Sequence, residues 1–379
     1  MLISILLFAV GLLLLVKGGD WFVDGATGIA RRFRLPDIVV GATVVSIGTT
    51  LPEVMVSTTG ALQGSGAMAY GNAIGSIICN TALIAAISIV CNPGPVNVKS
   101  MKTPVIFFFC SAALYCVASY LFGEFFRWMG FVMLAIFIVY TILTVRNGLK
   151  NPDTTDDEEE WDDTADPKDV WSEIVLLSAC AILMAIFSNL ITGLLMGVVF
   201  AIYLLTKARF MQRAKKFEGR METPLWDELL LLIIGAAVIA VGADLLVEHG
   251  QIIALGLGVP ETVVALLFVA LGTSLPELVT TITSLKKGRA SLGVGNVIGA
   301  NVFNLILVSG VAVSLAPFEV PVGKLLFGHN ASLVLDIPLM IAVMLLLTVP
   351  ALVKKKLNRW QGISMLIVYA AFCICQFVV

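Results

Sequence analysis

Gly48-Thr-Thr-Leu-Pro-Glu53 and Gly272-Thr-Ser-Leu-Pro-Glu277 are two versions of one hexapeptide, each set in an apolar run long enough to cross a bilayer. Each is followed at the same distance by a glycine-rich segment, Gly71-Asn-Ala-Ile-Gly-Ser76 and Gly295-Asn-Val-Ile-Gly-Ala300. One offset of 224 residues relates Gly48 to Gly272, Pro52 to Pro276, Glu53 to Glu277, Asn72 to Asn296 and Asn80 to Asn304. Upstream the same offset relates Gly11 to Gly235, Asp20 to Asp244, Ile29 to Ile253 and Pro36 to Pro260. Ungapped agreement of this extent marks an internal duplication.

With 59% hydrophobic and 13% charged residues, the chain has the composition of an all-α polytopic membrane protein and excludes a soluble enzyme or nucleic-acid-binding domain. Apolar periodicity predicts helices near 2–19, 37–62, 70–91, 103–122 and 127–146, then 172–189 and 190–206, then 226–248, 261–284, 292–314, 332–353 and 361–378. The first apolar run lacks a basic leader and a small-residue cleavage site, and it has a counterpart at 231–244. It is expected to belong to the fold. The seven cysteines lie almost wholly in apolar runs without disulfide or zinc spacing, so they are expected to be buried small hydrophobes.

Charge orients the helices. The connections at 31–34, 99–102, 207–220, 286–289 and 354–356 hold most of the cations, and in a twelve-helix arrangement all fall on one side. Connections 63–69, 249–260 and 315–331 fall on the other and are nearly free of Lys and Arg, with Arg127 and Lys324 as exceptions. The positive-inside rule makes the basic side cytoplasmic and places both termini outside. Helix 2–19 then runs inward and its counterpart 226–248 outward, so the repeats are inverted, as in secondary transporters. The expected organisation is a first half at 1–148 with its repeat core at 37–91, a middle segment at 149–225, and a second half at 226–379 with its core at 261–314. The middle segment carries an acidic cytoplasmic stretch, the extra helix pair 172–206 and a basic loop; a ten-helix arrangement is the alternative if that pair is peripheral. The ten carboxylates of 153–169 lack the glycine and ligand alternation of an EF-hand loop and read as a solvated linker.

Glu53 and Glu277 sit mid-helix in apolar surroundings, where a carboxylate is costly and marks a functional site by default. No predicted helix core holds a Lys or Arg to balance them, which leaves a proton or a bound cation. Thr49 and Thr273 stand one turn earlier, with Thr50 and Ser274 beside them, and Pro52 and Pro276 free the carbonyls of Gly48 and Gly272. Hydroxyls, carbonyls and carboxylates are hard oxygen ligands, suited to Na⁺ or Ca²⁺ rather than zinc or copper. An ordinary Pro-kinked helix would explain one copy; two inverted copies favour a site. Asn72, Ser76 and Asn80 form a polar stripe on the following helix, repeated by Asn296, Ala300 and Asn304. Small-residue packing explains the neighbouring glycines but not the asparagines, which are costly in lipid unless they face one another or an ion.

These motifs closely resemble those of the cation/calcium exchanger superfamily, in particular its prokaryotic sodium/calcium exchangers, whose paired repeats carry G-T-[ST]-x-P-E followed by G-N-x-x-G. The resemblance implies an inverted five-plus-five helix core with broken helices, in which the two opening helices slide to switch access. The pair 172–206 has no place in that pattern. It implies that Glu53 and Glu277 are the central ligands for both Ca²⁺ and Na⁺, with Thr49, Thr50, Thr273 and Ser274 lining the site. Main-chain carbonyls would come from Ser46 and Ala270, Ser76 would serve a sodium site, and Asn80 and Asn304 would face the centre. Two departures stand out: Asn304 where potassium-dependent relatives carry aspartate, and Ala300 where many members have serine. Gly75 and Gly299 replace the glutamate of the proton-coupled branch.

The expected activity is therefore Na⁺/Ca²⁺ antiport, with Ca²⁺/H⁺ or other divalent-cation exchange as the alternative. An intramembrane aspartyl hydrolase would require Y-D and G-x-G-D sequences around the carboxylates, and a passive channel would not need paired broken helices. The implied partners are the two ions and the bilayer. No cofactor, nucleic acid or obligatory protein partner is expected.

Overall fold

A computed structural model describes residues 1–32, 46–95, 98–150, 197, 200, 225–286 and 290–378. Among the described residues, eight helices are long and apolar enough to cross a membrane. Two further apolar segments are interrupted: Ser46–Thr49 continues after a one-residue break as Leu51–Leu62, and Ala270–Thr273 continues after Ser274 as Leu275–Lys286. The predicted pair 172–189 and 190–206 and the acidic stretch 153–169 lie outside the described residues, apart from Gly197 and Phe200. The Phe200 ring packs edge-on against Trp21 at 6.1 Å.

The opening helices are longer than the sequence predicts. Leu2–Arg32 has 31 residues and Leu225–Leu257 has 33, against expected ends at 19 and 248. At 1.5 Å per residue each spans about 45–50 Å, well beyond the roughly 30 Å hydrocarbon layer. The apolar run ends near Lys17-Gly-Gly-Asp20, but the helix continues through that stretch because of its packing. A Cβ at Gly18 would lie 2.9 Å from the Gly235 carbonyl, and one at Gly11 would lie 2.8 Å from the Gly242 carbonyl. The two helices therefore run antiparallel with their backbones in contact, and glycine at 11, 18, 235 and 242 permits that approach. The offset of 224 carries the pair 11/242 onto 235/18, so this seam lies on the symmetry axis of the repeats.

Two short strand pairs obey the same inversion. Gly94–Pro95 pairs with Lys356–Leu357, and Glu124–Phe125 pairs with Phe318–Glu319. In each case the link before one half's fourth long helix meets the link after the other half's fourth. The first pair gathers basic connections at one end of the bundle. At the other end Ser65 Oγ donates to Glu261 Oε2 at 2.5 Å, beside the Phe318 that packs against Gly66. Among the described residues the basic connections leading into Val98 and out of Lys354 meet at one end. The predicted connection 249–260 is helical as far as Leu257, and the basic residues of 33–34, 207–220 and 287–289 lie outside the described residues.

The structure also exposes a repeated tetrapeptide that the constant offset conceals: Arg127-Trp-Met-Gly130 and Arg359-Trp-Gln-Gly362, related by 232 residues rather than 224. Arg127 Nη1 donates to the Ser314 carbonyl at 2.8 Å, and Arg359 Nε donates to the Val90 carbonyl at 2.9 Å. Each arginine thus caps the C-terminus of the other half's third helix, where a cation also meets the favourable end of the helix dipole. Gly130 lies on Gly310 and Ser314, and Gly362 on Ala86 and Val90, so the fifth helix of each half packs on the third of the other. Arg127, an exception to the charge sorting, is accounted for by this cap. Gln361 of the second motif donates to the carbonyls of Leu346, at 2.7 Å, and Leu347, at 3.0 Å. The first of these is the carbonyl that Pro350 leaves without its helical donor.

The cysteine expectation needs correction. Cys79 is buried, but Cys91 and Cys110 are exposed. In a bundle bathed in lipid, an apolar side chain is as well placed on the outer face as inside, so membership of an apolar run does not imply burial.

Candidate functional site

The two helix breaks coincide under the repeat. Thr50 has φ −87° and ψ −4°, and Ser274 has φ −84° and ψ 9°; both lie at the edge of the helical region, two residues before a proline. The following helices restart at once, with the amides of Val54 and Leu278 reaching back 3.1 Å to the carbonyls of Thr50 and Ser274. Glu53 and Glu277 therefore occupy the first turn after each break, 0% and 4% exposed.

The partner helices are broken in another way. Gly66–Cys79 passes into a π-helical turn at Asn80–Ala85, and Ala290–Phe303 passes into one at Asn304–Val308. The wider turns begin at the two symmetry-related asparagines. Such turns disturb the i→i−4 ladder and recur at functional sites; here the Asn304 carbonyl accepts from Ser309 Oγ at 3.2 Å. Asn80 and Asn304 are 0% exposed, and neither side-chain amide has a hydrogen-bond partner among the described residues.

The side chains are wired across the repeats. Ser274 Oγ of the second repeat donates to Glu53 Oε1 of the first at 3.3 Å. Thr273 Oγ1 donates to Asn72 Oδ1 at 3.2 Å and lies 3.5 Å from Ser76 Oγ. Asn72 Nδ2 donates to the Glu53 carbonyl at 3.1 Å and to Ser57 Oγ at 2.9 Å. Asn72 thus holds together both broken helices and its own. Glu277 lies within electrostatic reach of Glu53. The second carboxylate oxygen of Glu53, Oε2, is buried without a hydrogen-bond donor among the described residues.

Thr50, Thr273, Ser274 and Ser76 are buried with these carboxylates, while Thr49 is half-buried. Ser46 opens the helical turn before the first break. The Ala270 carbonyl accepts from the Ser274 amide at 3.1 Å and from Thr273 Oγ1 at 3.3 Å, so it already carries two intrachain donors. Ala300 is buried at the position corresponding to Ser76 and supplies no hydroxyl. Two contributors escape the sequence reading. Asn72 was legible as part of a polar stripe but not as a link between repeats, and Ser57, one turn beyond Glu53, carried no signal beyond its polarity.

The arrangement fits a cation chemically. It gathers two carboxylates, hydroxyls and amide oxygens in a dry interior. Each buried polar atom left unpaired there costs about 1–3 kcal/mol, and a hard cation satisfies the oxygens together.

The comparisons agree with this geometry. A family model described as sodium/calcium exchanger protein matches residues 3–146 and 228–378. An uncharacterized membrane protein of Methanocaldococcus jannaschii is 30% identical over 364 residues, covering 96% of this chain and 94% of its own length. Sodium/calcium exchanger MaX1 of Methanosarcina acetivorans is 27% identical over 375 residues, covering 99% of each chain. The solved structure of the sodium-calcium exchanger NCX_Mj soaked with 100 mM Na⁺ and 10 mM Sr²⁺ superposes with a TM-score of 0.55 at 28% identity, over 100% of this chain and 99% of that one. With inverted halves, broken helices at the paired glutamates and a family match on both sides of the middle segment, the chain belongs to the sodium/calcium exchanger protein family.

Proposed function

We propose that the protein exchanges Na⁺ for Ca²⁺ by alternating access, the two ions competing for one midplane site built on Glu53 and Glu277. The observation that carries this reading is a set of buried oxygens without a donor among the described residues, Glu53 Oε2 and the side-chain carbonyls of Asn80 and Asn304, on a helix break and two symmetry-related π turns. Thr49, Thr50, Thr273, Ser274 and Ser76 line the site, and the Ser46 and Ala270 carbonyls stand at its edge. Two glutamates balance one Ca²⁺ or two Na⁺, so the two loads are electrically equivalent and displace each other. A third Na⁺ makes the cycle electrogenic. The opening helices of the halves 1–148 and 226–379, Leu2–Arg32 and Leu225–Leu257, slide across the core formed by the remaining helices to switch access, and the acidic segment joins the halves. The basic end of the bundle, with the acidic segment, faces the cytoplasm of a prokaryotic cell, and both termini lie outside.

Calcium uptake into proteoliposomes tests the reading. Uptake is expected into vesicles loaded with Na⁺ and not into matched vesicles loaded with K⁺ or carrying only a pH gradient. Uptake driven by the pH gradient alone would establish Ca²⁺/H⁺ exchange instead.

Ala300 favours a weakened sodium site. Ser76 Oγ meets Thr273 Oγ1 at 3.5 Å, whereas the symmetry-related helix presents a methyl group. Ala300→Ser should restore a hydroxyl and shift the Na⁺ activation curve to lower concentration by roughly three- to tenfold, the worth of one hydrogen bond. An unchanged curve would show that this position does not face sodium.

A further inference from the structure

A third carboxylate is buried in the membrane-spanning part of the chain, away from the repeated motifs. Asp336 closes the π turn Ser332–Asp336 at the start of the span Ser332–Lys354 and is 2% exposed. Neither offset relating the two halves places an acid opposite it: 224 leads to Ala112 and 232 to Pro104. Asp336 therefore stands outside the duplicated centre.

Its surroundings form a built polar pocket. Gln376 Nε2, from the last helix, donates to Asp336 Oδ1 at 2.9 Å. The other face of the same amide, Gln376 Oε1, accepts from Lys324 Nζ at 3.2 Å, and Nζ also donates to the Cys375 carbonyl at 2.7 Å. The carboxylate and the ammonium are thus joined through one amide. Both line a cavity of about 10 Å³ together with Thr262, Ser332 and Gln376. That volume admits one water-sized body.

Lys324 reaches this pocket from the surface. It precedes a hairpin, Leu325–Leu326 against His329–Asn330, whose tip residues Phe327 and Gly328 have φ of +51° and +81°. Burial presses the Lys324 ammonium below the ordinary lysine range, and Asp336 opposes that shift. The ammonium is a point charge on a flexible four-carbon stem, and the oxygens it bonds, the Cys375 carbonyl and Gln376 Oε1, would equally accept a free ion.

The chemistry of the lining selects the ligand. Carboxylate, hydroxyl and amide oxygens suit a hard cation. One carboxylate balances one positive charge, so a monovalent ion leaves the buried pocket neutral where Ca²⁺ would leave it with uncompensated charge. We propose that the Asp336 pocket is a second cation site, for one alkali-metal ion such as Na⁺, in which the Lys324 ammonium is the tethered occupant that the free ion displaces. Thr262 belongs to the apolar segment that continues to Thr273, Ser274 and Glu277, so occupancy acts at the outer root of the helix carrying half of the central site.

The test uses the full-length protein carrying Glu53→Gln and Glu277→Gln, which separates this pocket from the Na⁺/Ca²⁺ reading. Thermal unfolding is followed against NaCl, with choline chloride holding ionic strength constant. In this background Lys324→Met should give saturable stabilisation by Na⁺, with Tm rising about 3 °C or more over a hundredfold increase in concentration. The unsubstituted lysine should require at least roughly tenfold more Na⁺ for the same rise, because its own ammonium competes. Adding Asp336→Asn should abolish the Na⁺ response in both. A flat response in Lys324→Met, or one that survives Asp336→Asn, would overturn the proposal. Should Lys324→Met fail to fold, Asp336→Asn on the lysine-containing protein at high NaCl carries the same test, and a Na⁺ response unaffected by the substitution refutes the site.

Discussion

Glu53→Gln, and separately Glu277→Gln, should reduce Ca²⁺ transport to background in a protein that still folds and inserts. The substitution is close to isosteric, so the packing around the 0%-exposed Glu53 side chain is retained. What changes is charge. Removing one member of a buried, hydrogen-bonded charge pair costs about 2–5 kcal/mol, or roughly 30- to several-thousand-fold in affinity. The effect on stability has the opposite sign in ion-free buffer. There the two glutamates lie within electrostatic reach of one another, and Glu53 Oε2 has no donor among the described residues. A neutral amide removes that repulsion, so the variant should unfold at the same or a higher temperature than the parent. Addition of Ca²⁺ should raise the parent's Tm and leave the variant's unchanged. Transport at parental rate in either variant would remove the carboxylates from the proposed site, whereas a variant that fails to unfold cooperatively would show that the charge serves folding.

Much of this was legible in the sequence because the two copies check each other. A Pro-Glu step in an apolar helix has several explanations, but two at one offset, with asparagines trailing each at the same distance, mark the helix breaks as one duplicated device, whereas the π turns at Asn80 and Asn304 carried no sequence signal of their own. The pairing of side chains across the repeats was not legible. A polar stripe announces which face of a helix is wet, not which neighbour it meets, so the link from Asn72 to Glu53 and Thr273 required coordinates. The R-W-x-G pair escaped because residues added between the halves' third and fifth helices shift the offset from 224 to 232. Asp336 escaped for a local reason: an acid soon after a polar loop reads as an ordinary first-turn residue favoured by the helix dipole. Its burial depends on Gln376, forty residues away.

The contact between the two halves should tolerate no added atom at Gly75. A Cβ there would lie 2.4 Å from the Leu266 carbonyl oxygen, 2.7 Å from its Cα and 2.8 Å from the Ala270 Cβ. None of the three obstacles can move without shifting a helix, since two are backbone atoms of Leu266 and the third is a Cβ fixed to the backbone one turn away. Leu266 lies in the π turn Ala265–Val269, just before the Ala270–Thr273 segment that presents Thr273 to Asn72 and Ser76. The strain therefore falls on the element that aligns the centre. Gly75→Ala should destabilise the protein by about 1–3 kcal/mol, the range for overpacking a filled interior, and Gly75→Val by more. Transport should fall further than stability does, because a displacement of half an ångström stretches the 3.2 Å and 3.5 Å contacts of Thr273 beyond hydrogen-bonding range. Gly94→Ala is the control. No atom lies within 4 Å of its Cβ position, and the change should stay within about 0.5 kcal/mol with full transport. Thermal unfolding and vesicle uptake measured on all three variants separate the two effects. Equal losses in the alanine variants at Gly75 and Gly94 would show that the close approach of the halves does not govern the site.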